Sequence, residues 1–244
     1  MDFGLPEDIA LYVLSQYAKQ AYLFVLISSK MINYIGKDKV CEIAARIGHL
    51  ELLKLGIERS FPLEAITYYN AAFGGHLDTL IWLQSQNDRI EKQYNRSKFY
   101  YWNSKLCTYA ANKGHLHVIQ WLLTHDSLSI DGPCSWNIWI HMQAIIHDHP
   151  KIIDWMNLKH GKLANSLILN MARIAAKHKS WKILQWIKMH YPEQLQNGNL
   201  LQYAIQHKYI EIVRWLRSID PPCPYKNEYL KEYVCENRWL GFRE

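Results

Sequence analysis

The sequence predicts an all-α chain, a solenoid of repeated helical pairs, and three observations carry that expectation. A seven-residue phrase recurs with little change: Ala44-Ala45-Arg46-Ile47-Gly48-His49-Leu50, Ala71-Ala72-Phe73-Gly74-Gly75-His76-Leu77 and Ala110-Ala111-Asn112-Lys113-Gly114-His115-Leu116. After each phrase come aliphatic residues at helical spacing, and Trp82, Trp121, Trp155, Trp186 and Trp215 recur at one register. Weaker copies cover 144–156, 175–187 and 204–216, with a half-copy at 234–240. The first small residues of successive copies are 27 to 39 residues apart, about 32 on average. Self-similarity at such a period marks a solenoid, in which each unit buries its apolar face only against its neighbours.

Taken in chain order, residues 1–39 stand outside the repeat. Leu5-Pro6-Glu7-Asp8-Ile9 reads as a helix start, with proline in the first turn and acids beside the positive helix end. Ile9, Val13 and Leu14 then form an apolar face, and a second apolar stretch covers 22–27. From residue 40 to 244 each copy reads as helix, tight turn, helix. The alanine pair lets helices approach closely. Gly48, Gly75 and Gly114 stop the first helix, because glycine takes the left-handed conformation without a Cβ penalty. The recurring tryptophans are expected in the core between repeats. Segments 56–62, 125–135, 191–199 and 218–225 carry Pro, Gly, Asn and Asp and read as loops or projecting fingers. The longest step holds an insertion at 84–103, read as a solvated finger whose aromatics pack on the next repeat.

The repeated Ala-Ala-x-x-Gly-His-Leu, followed by an aliphatic residue and a Trp-Leu or Leu-Leu pair, resembles the ankyrin family over about residues 40–240. That resemblance implies about six and a half divergent ankyrin repeats. It also implies that His49, His76 and His115 hold the turns by side-chain hydrogen bonds, and that partners contact the concave side. Two departures stand out. The family's Thr-Pro-Leu-His is missing from every copy, with Lys105-Leu106-Cys107-Thr108 in its place in the third. The Gly-His is replaced by Asp148-His149, Lys179-Ser180 and Lys208-Tyr209 in the later copies, which weakens the expected capping there. The Trp-Leu pairs, with Pro133-Cys134-Ser135-Trp136 and Pro222-Cys223-Pro224-Tyr225, look like the divergent repeats of large DNA viruses and some protists.

The N-terminal segment is similar to an F-box. The likeness rests on Leu5-Pro6-Glu7-Asp8-Ile9, Val13-Leu14-Ser15 and the closing Ser28-Ser29-Lys30-Met31-Ile32, which lacks the motif's Val and Trp. It implies that Leu5, Pro6, Ile9, Val13 and Leu14 contact a Skp-type adaptor of cullin-RING ubiquitin ligases, while the repeats recruit a substrate. The other reading of these residues is a terminal cap, which a solenoid needs in order to present a polar end.

Composition narrows the function. A hydrophobic fraction of 49% rules out disorder for most of the chain, and no apolar run reaches 18 residues, so no membrane span is expected. The start, Met1-Asp2-Phe3-Gly4, has neither a basic nor an apolar leader region, so no secretory signal is expected. Five cysteines without a CxxC pair point away from a disulfide framework and toward a reducing, cytoplasmic location (host cytoplasm for a viral source). A formal charge of +6 is a weak signal for nucleic acid. The basic and aromatic residues of the insertion (Arg89, Lys92, Arg96, Lys98 and 99–102) are the one segment suited to single strands. His147 and His149 point to different sides of a helix, so shared metal coordination is not expected. Phosphate loops, nucleophile elbows and HExxH are missing, so no enzyme, cofactor, metal or small-molecule substrate is expected. What remains is a non-catalytic protein-interaction chain, either an F-box adaptor or a stand-alone binder. Tyr68, Tyr69, Tyr100, Trp102, Asn103, Trp136 and Trp139 are the expected partner-binding residues, because aromatic side chains dominate interface energetics.

Overall fold

In a computed structural model, the structure describes residues 37, 39–95, 102, 104–124, 138–161, 163–196, 198–225 and 228. The F-box-like residues Leu5, Pro6, Ile9, Val13 and Leu14 lie outside them, as does the half-copy at 234–240. The chain divides into two compact units, Met1–Asn137 and Ile138–Glu244. Among the described residues all regular structure is helical.

The first unit contains α1 (Val40–Ile47), α2 (Leu50–Glu58), α3 (Ala65–Gly74), α4 (Leu77–Ser85), α5 (Asn87–Tyr94), α6 (Lys105–Asn112) and α7 (Leu116–Thr124). The repeated phrase produces three helical pairs, α1–α2, α3–α4 and α6–α7. Each first helix packs on its own second helix and on the next first helix, α1 on α3 and α3 on α6. The alanine pairs explain the closeness: Ala44, Ala45, Ala71, Ala72, Ala110 and Ala111 are all fully buried. The second unit contains α8 (Ile138–Ile146), α9 (Pro150–His160), α10 (Asn165–His178), α11 (Trp181–His190), α12 (Pro192–Gln196), α13 (Asn199–Gln206) and α14 (Ile210–Ser218). Its pairs are α8–α9, α10–α11 and α13–α14, with α10 packed against both α8 and α13. Ala144, Ala175, Ala176 and Ala204 are buried at the same register.

All six turns between paired helices have one backbone geometry. Gly48, Gly75, Gly114, Asp148, Lys179 and Lys208 take φ between 57° and 79°. The following residue (His49, His76, His115, His149, Ser180, Tyr209) donates its N–H to the carbonyl five positions back, at 2.8–3.0 Å. The left-handed residue donates to the carbonyl three back, at 3.1–3.4 Å. These two bonds are the Schellman closure, which satisfies carbonyls left open at a helix end. The later turns therefore keep the capping whose glycine they have lost.

Three sequence expectations need correction. Segment 56–62 is not all loop, since α2 continues to Glu58 and Gly56 is a buried helical residue. A Cβ on Gly56 would come within 2.8 Å of Cys41 Sγ, so glycine there serves close packing. The insertion is not simply a solvated finger: α5 folds back on the first repeat. Ile90 is buried, Gln93 Nε2 donates to Ile57 O at 2.6 Å, and Tyr94 OH donates to Phe61 O at 2.8 Å. Of the five recurring tryptophans only Trp186 is buried, while Trp82, Trp121, Trp155 and Trp215 are half-buried. Indoles are large and so are seldom fully enclosed, and part of the ring stays open to solvent or to cations, as with Lys54 beside Trp82 and Lys159 beside Trp155. Cys107 is disulfide-bonded, whereas Cys41 and Cys223 are free and buried. An odd count excludes complete pairing but not a single bridge.

Candidate interaction face

The histidine that opens each second helix connects neighbouring repeats. In the first repeat His49 acts locally, its Nδ1 accepting from Leu52 N–H at 3.2 Å and capping α2. His76 and His115 reach backward. His76 Nε2 donates to Arg46 O and His115 Nε2 donates to Phe73 O, each at 3.0 Å, across 30 and 42 residues of chain. Their rings lie over Gly48 and Gly75, where any Cβ would collide with them. His49 thus bonds within its own repeat, while His76 and His115 make their side-chain bonds to the turn of the repeat before. Burial lowers the pKa of both His49 and His76, which keeps the rings neutral.

This stacking fixes a row of side chains on the first helices. Tyr69 and Phe73, one helical turn apart on α3, share a face with Tyr109 of α6. The Tyr69 and Tyr109 rings stack at 5.0 Å with 6° between their planes, and Phe73 meets Tyr109 edge-on at 6.5 Å. Lys113 Nζ lies 4.8 Å from the Phe73 ring centre and the Arg46 guanidinium 5.9 Å. All three rings are half-buried, and both cations are exposed. The result is a pre-ordered aromatic surface rimmed by positive charge. Such a surface loses little side-chain entropy on docking, and it suits an apolar or acidic partner segment. In the second unit Arg173 lies 5.6 Å from the Tyr203 ring, and Tyr203, His207 and Tyr209 cluster at 4.3 to 6.1 Å.

The expected partner-binding residues fare unevenly. Tyr69 belongs to the face. Tyr68 does not: it is 0% exposed and packs edge-on against Trp102, itself 1% exposed, at 5.3 Å. Both are core residues, and the reason is periodicity. Tyr68 shares the buried stripe of Ala71 and Ala72, while Tyr69 lies a step of about 100° round the helix with Phe73. Trp102 further packs on Trp121 at 6.1 Å. Trp139 is exposed at 54%, beside exposed Ile138 at the start of α8. Tyr100, Asn103 and Trp136 lie outside the described residues. Arg46, Phe73, Tyr109 and Lys113 were not expected from the sequence. The i, i+4 spacing of Tyr69 and Phe73 was the available signal, but pairing with Tyr109 needs the stack. No family model matches this chain, and no curated protein matches it either.

Proposed function

We propose that this chain is a non-catalytic protein-binding protein of ankyrin-type repeat architecture, and that the Tyr69–Phe73–Tyr109 face contacts its partner. Support for the architecture comes from the repeated Ala-Ala and Gly-His phrase together with six identical Schellman turns and first helices packed in series within each unit. The observation that carries the binding reading is the stacked Tyr69–Tyr109 pair beside Phe73, half-exposed and flanked by Arg46 and Lys113. A repeat stack needs no aromatic outside its core for stability, and interface anchors are drawn from this residue class. The test is affinity capture with the full chain and with a Tyr69→Ala/Tyr109→Ala variant whose melting temperature stays near that of the parent. Partners bound by the parent and lost by the variant support the reading. Identical capture by both removes the face from it.

A second reading rests on Leu5, Pro6, Ile9, Val13 and Leu14: an F-box that ties the repeats to a ubiquitin ligase. Binding of a purified Skp-type adaptor that disappears in a Leu5→Ala/Pro6→Ala variant supports it. An intact chain that fails to bind the adaptor leaves these residues as a cap.

A further inference from the structure

The second unit carries a cation at the station where the first unit places its ring pair. Arg173 of α10 stands two positions before Ala175, and Tyr203 of α13 stands one position before Ala204. Tyr69 and Tyr109 hold the same positions against Ala71 and Ala110. The stack therefore brings the Arg173 guanidinium to 5.6 Å from the Tyr203 ring, as it brings the Tyr69 ring to 5.0 Å from that of Tyr109. His207 and Tyr209 extend the ring surface, at 4.3 and 6.1 Å from Tyr203.

Apart from the Tyr203 ring, nothing balances this charge. Arg173 is half-buried, and its Nε is a buried donor with no acceptor, the only such donor on a cation among the described residues. No hydrogen bond and no carboxylate engages the guanidinium there. Helices α10 and α13 contain no Asp or Glu. The acids of the neighbouring turns are committed elsewhere. Asp148 caps α11, its Oδ2 accepting from Lys182 N–H at 3.2 Å and its Oδ1 from Ile183 N–H at 2.9 Å, and Glu211 pairs with Lys179 Nζ at 2.9 Å. A guanidinium taken partly out of water without a counter-charge carries a desolvation cost that nothing in the fold offsets. An anion at its open end offsets that cost, and the attraction is stronger there than at a solvated cation such as Lys177, one turn along α10.

We propose that the Arg173–Tyr203 station binds a carboxylate side chain from an acidic segment of the protein partner. The inference rests on the binding-protein reading and adds to it a second contact, in the other unit. The planar guanidinium offers its terminal N–H groups as a fork that matches two carboxylate oxygens. Packing on Tyr203 holds that fork ready, so little side-chain freedom is lost on binding. One guanidinium leaves one charge to balance, which a carboxylate matches, whereas a phosphate monoester brings nearly two.

The probe is an acetylated, amidated tetra-glutamate peptide, titrated into the ¹⁵N-labelled full chain and followed by NMR. The Arg173 Nε–H and Tyr203 amide resonances are expected to shift and saturate. Arg173→Gln, which removes the charge, is expected to weaken the peptide about tenfold or more. Arg173→Lys keeps the charge without the fork and is expected to weaken it several-fold, and it carries the comparison if Arg173→Gln melts well below the parent. Lys177→Gln removes the same charge from a solvated position and is expected to change the affinity by less than about twofold. Shifts that never saturate overturn the proposal, as does full affinity in either Arg173 variant. A loss in Lys177→Gln equal to that in Arg173→Gln assigns binding to general positive charge and overturns it too. Tighter binding of inorganic phosphate than of the peptide overturns the carboxylate assignment. If the peptide fails while partner capture still depends on Tyr69 and Tyr109, this contact falls and the aromatic face stands. The reverse pattern removes the face alone.

Discussion

Replacing Gly75 by alanine tests whether the turns are locked by the histidine of the next repeat. Gly75 has φ 76°, and an added Cβ would lie 2.5 Å from His115 Nδ1 and 2.6 Å from Cε1. Left-handed strain at a residue with a Cβ costs about 1–2 kcal/mol. Moving the His115 ring away breaks its 3.0 Å bond to Phe73 O, a further loss of about 1 kcal/mol. Reduced freedom of the unfolded chain returns about 0.4–1 kcal/mol. Gly75→Ala is therefore expected to destabilise by about 2 kcal/mol, measured as a shift of the urea midpoint at constant m-value. In a His115→Ala background the ring is gone and only strain remains, so the same substitution should cost about 1 kcal/mol less. Equal costs in the two backgrounds would refute the lock. A neutral Gly75→Ala would refute the backbone argument as well.

Lys208→Gly is expected to raise stability by about 0.5–1 kcal/mol, because it relieves φ 60° at an exposed residue, and thermal melting should show a higher midpoint. Asp148→Gly relieves a similar φ but removes both capping bonds to α11, so the net effect should be a loss of about 0.5–1 kcal/mol on the same assay. Burial lowers the pKa of His49 and His76 below the ordinary value of 6.5. The unfolded chain then binds more protons, so stability is complete above about pH 6.5 and falls as pH drops from there toward the depressed folded values. Urea midpoints between neutral and mildly acid pH should follow this, and His76→Gln should flatten the dependence. Burial pushes the Cys41 thiol up to about 12, so at pH 8 it should stay unmodified by a thiol reagent in the native chain and react once urea unfolds it.

Much of the local structure was legible because each repeat states its own instructions. The alanine pairs mark close helix contacts, and the glycines mark where helices stop. Copies without glycine were harder to read, since Asp148, Lys179 and Lys208 adopt a conformation that their residue types disfavour. Packing of the buried residues beneath the turn (Ala144 and Ile145, Ala175 and Ala176, Ala204 and Ile205), together with the two Schellman bonds, holds them there. The insertion was read as a solvated finger from its charges, whereas Ile90 is buried and Gln93 and Tyr94 bond to backbone carbonyls more than 30 residues earlier in the chain. Tyr68 and Tyr69 are equally aromatic and adjacent, so composition could not separate a core ring from a surface one. Helical phase against Ala71 and Ala72 does.

The sequence by itself determined the helical class, the register of the six helical pairs among the described residues, and the buried alanine layer. These follow from spacing along one chain, which backbone geometry converts directly into faces and turns. Tertiary structure alone decided which rings meet across repeats and which turn carboxylate caps the next helix. Those outcomes depend on residues about 30 to 40 positions apart being brought within bonding distance. A one-residue change in repeat length, such as the steps of 29, 30 and 31 found here, shifts such pairings without altering the local pattern that announces the repeat.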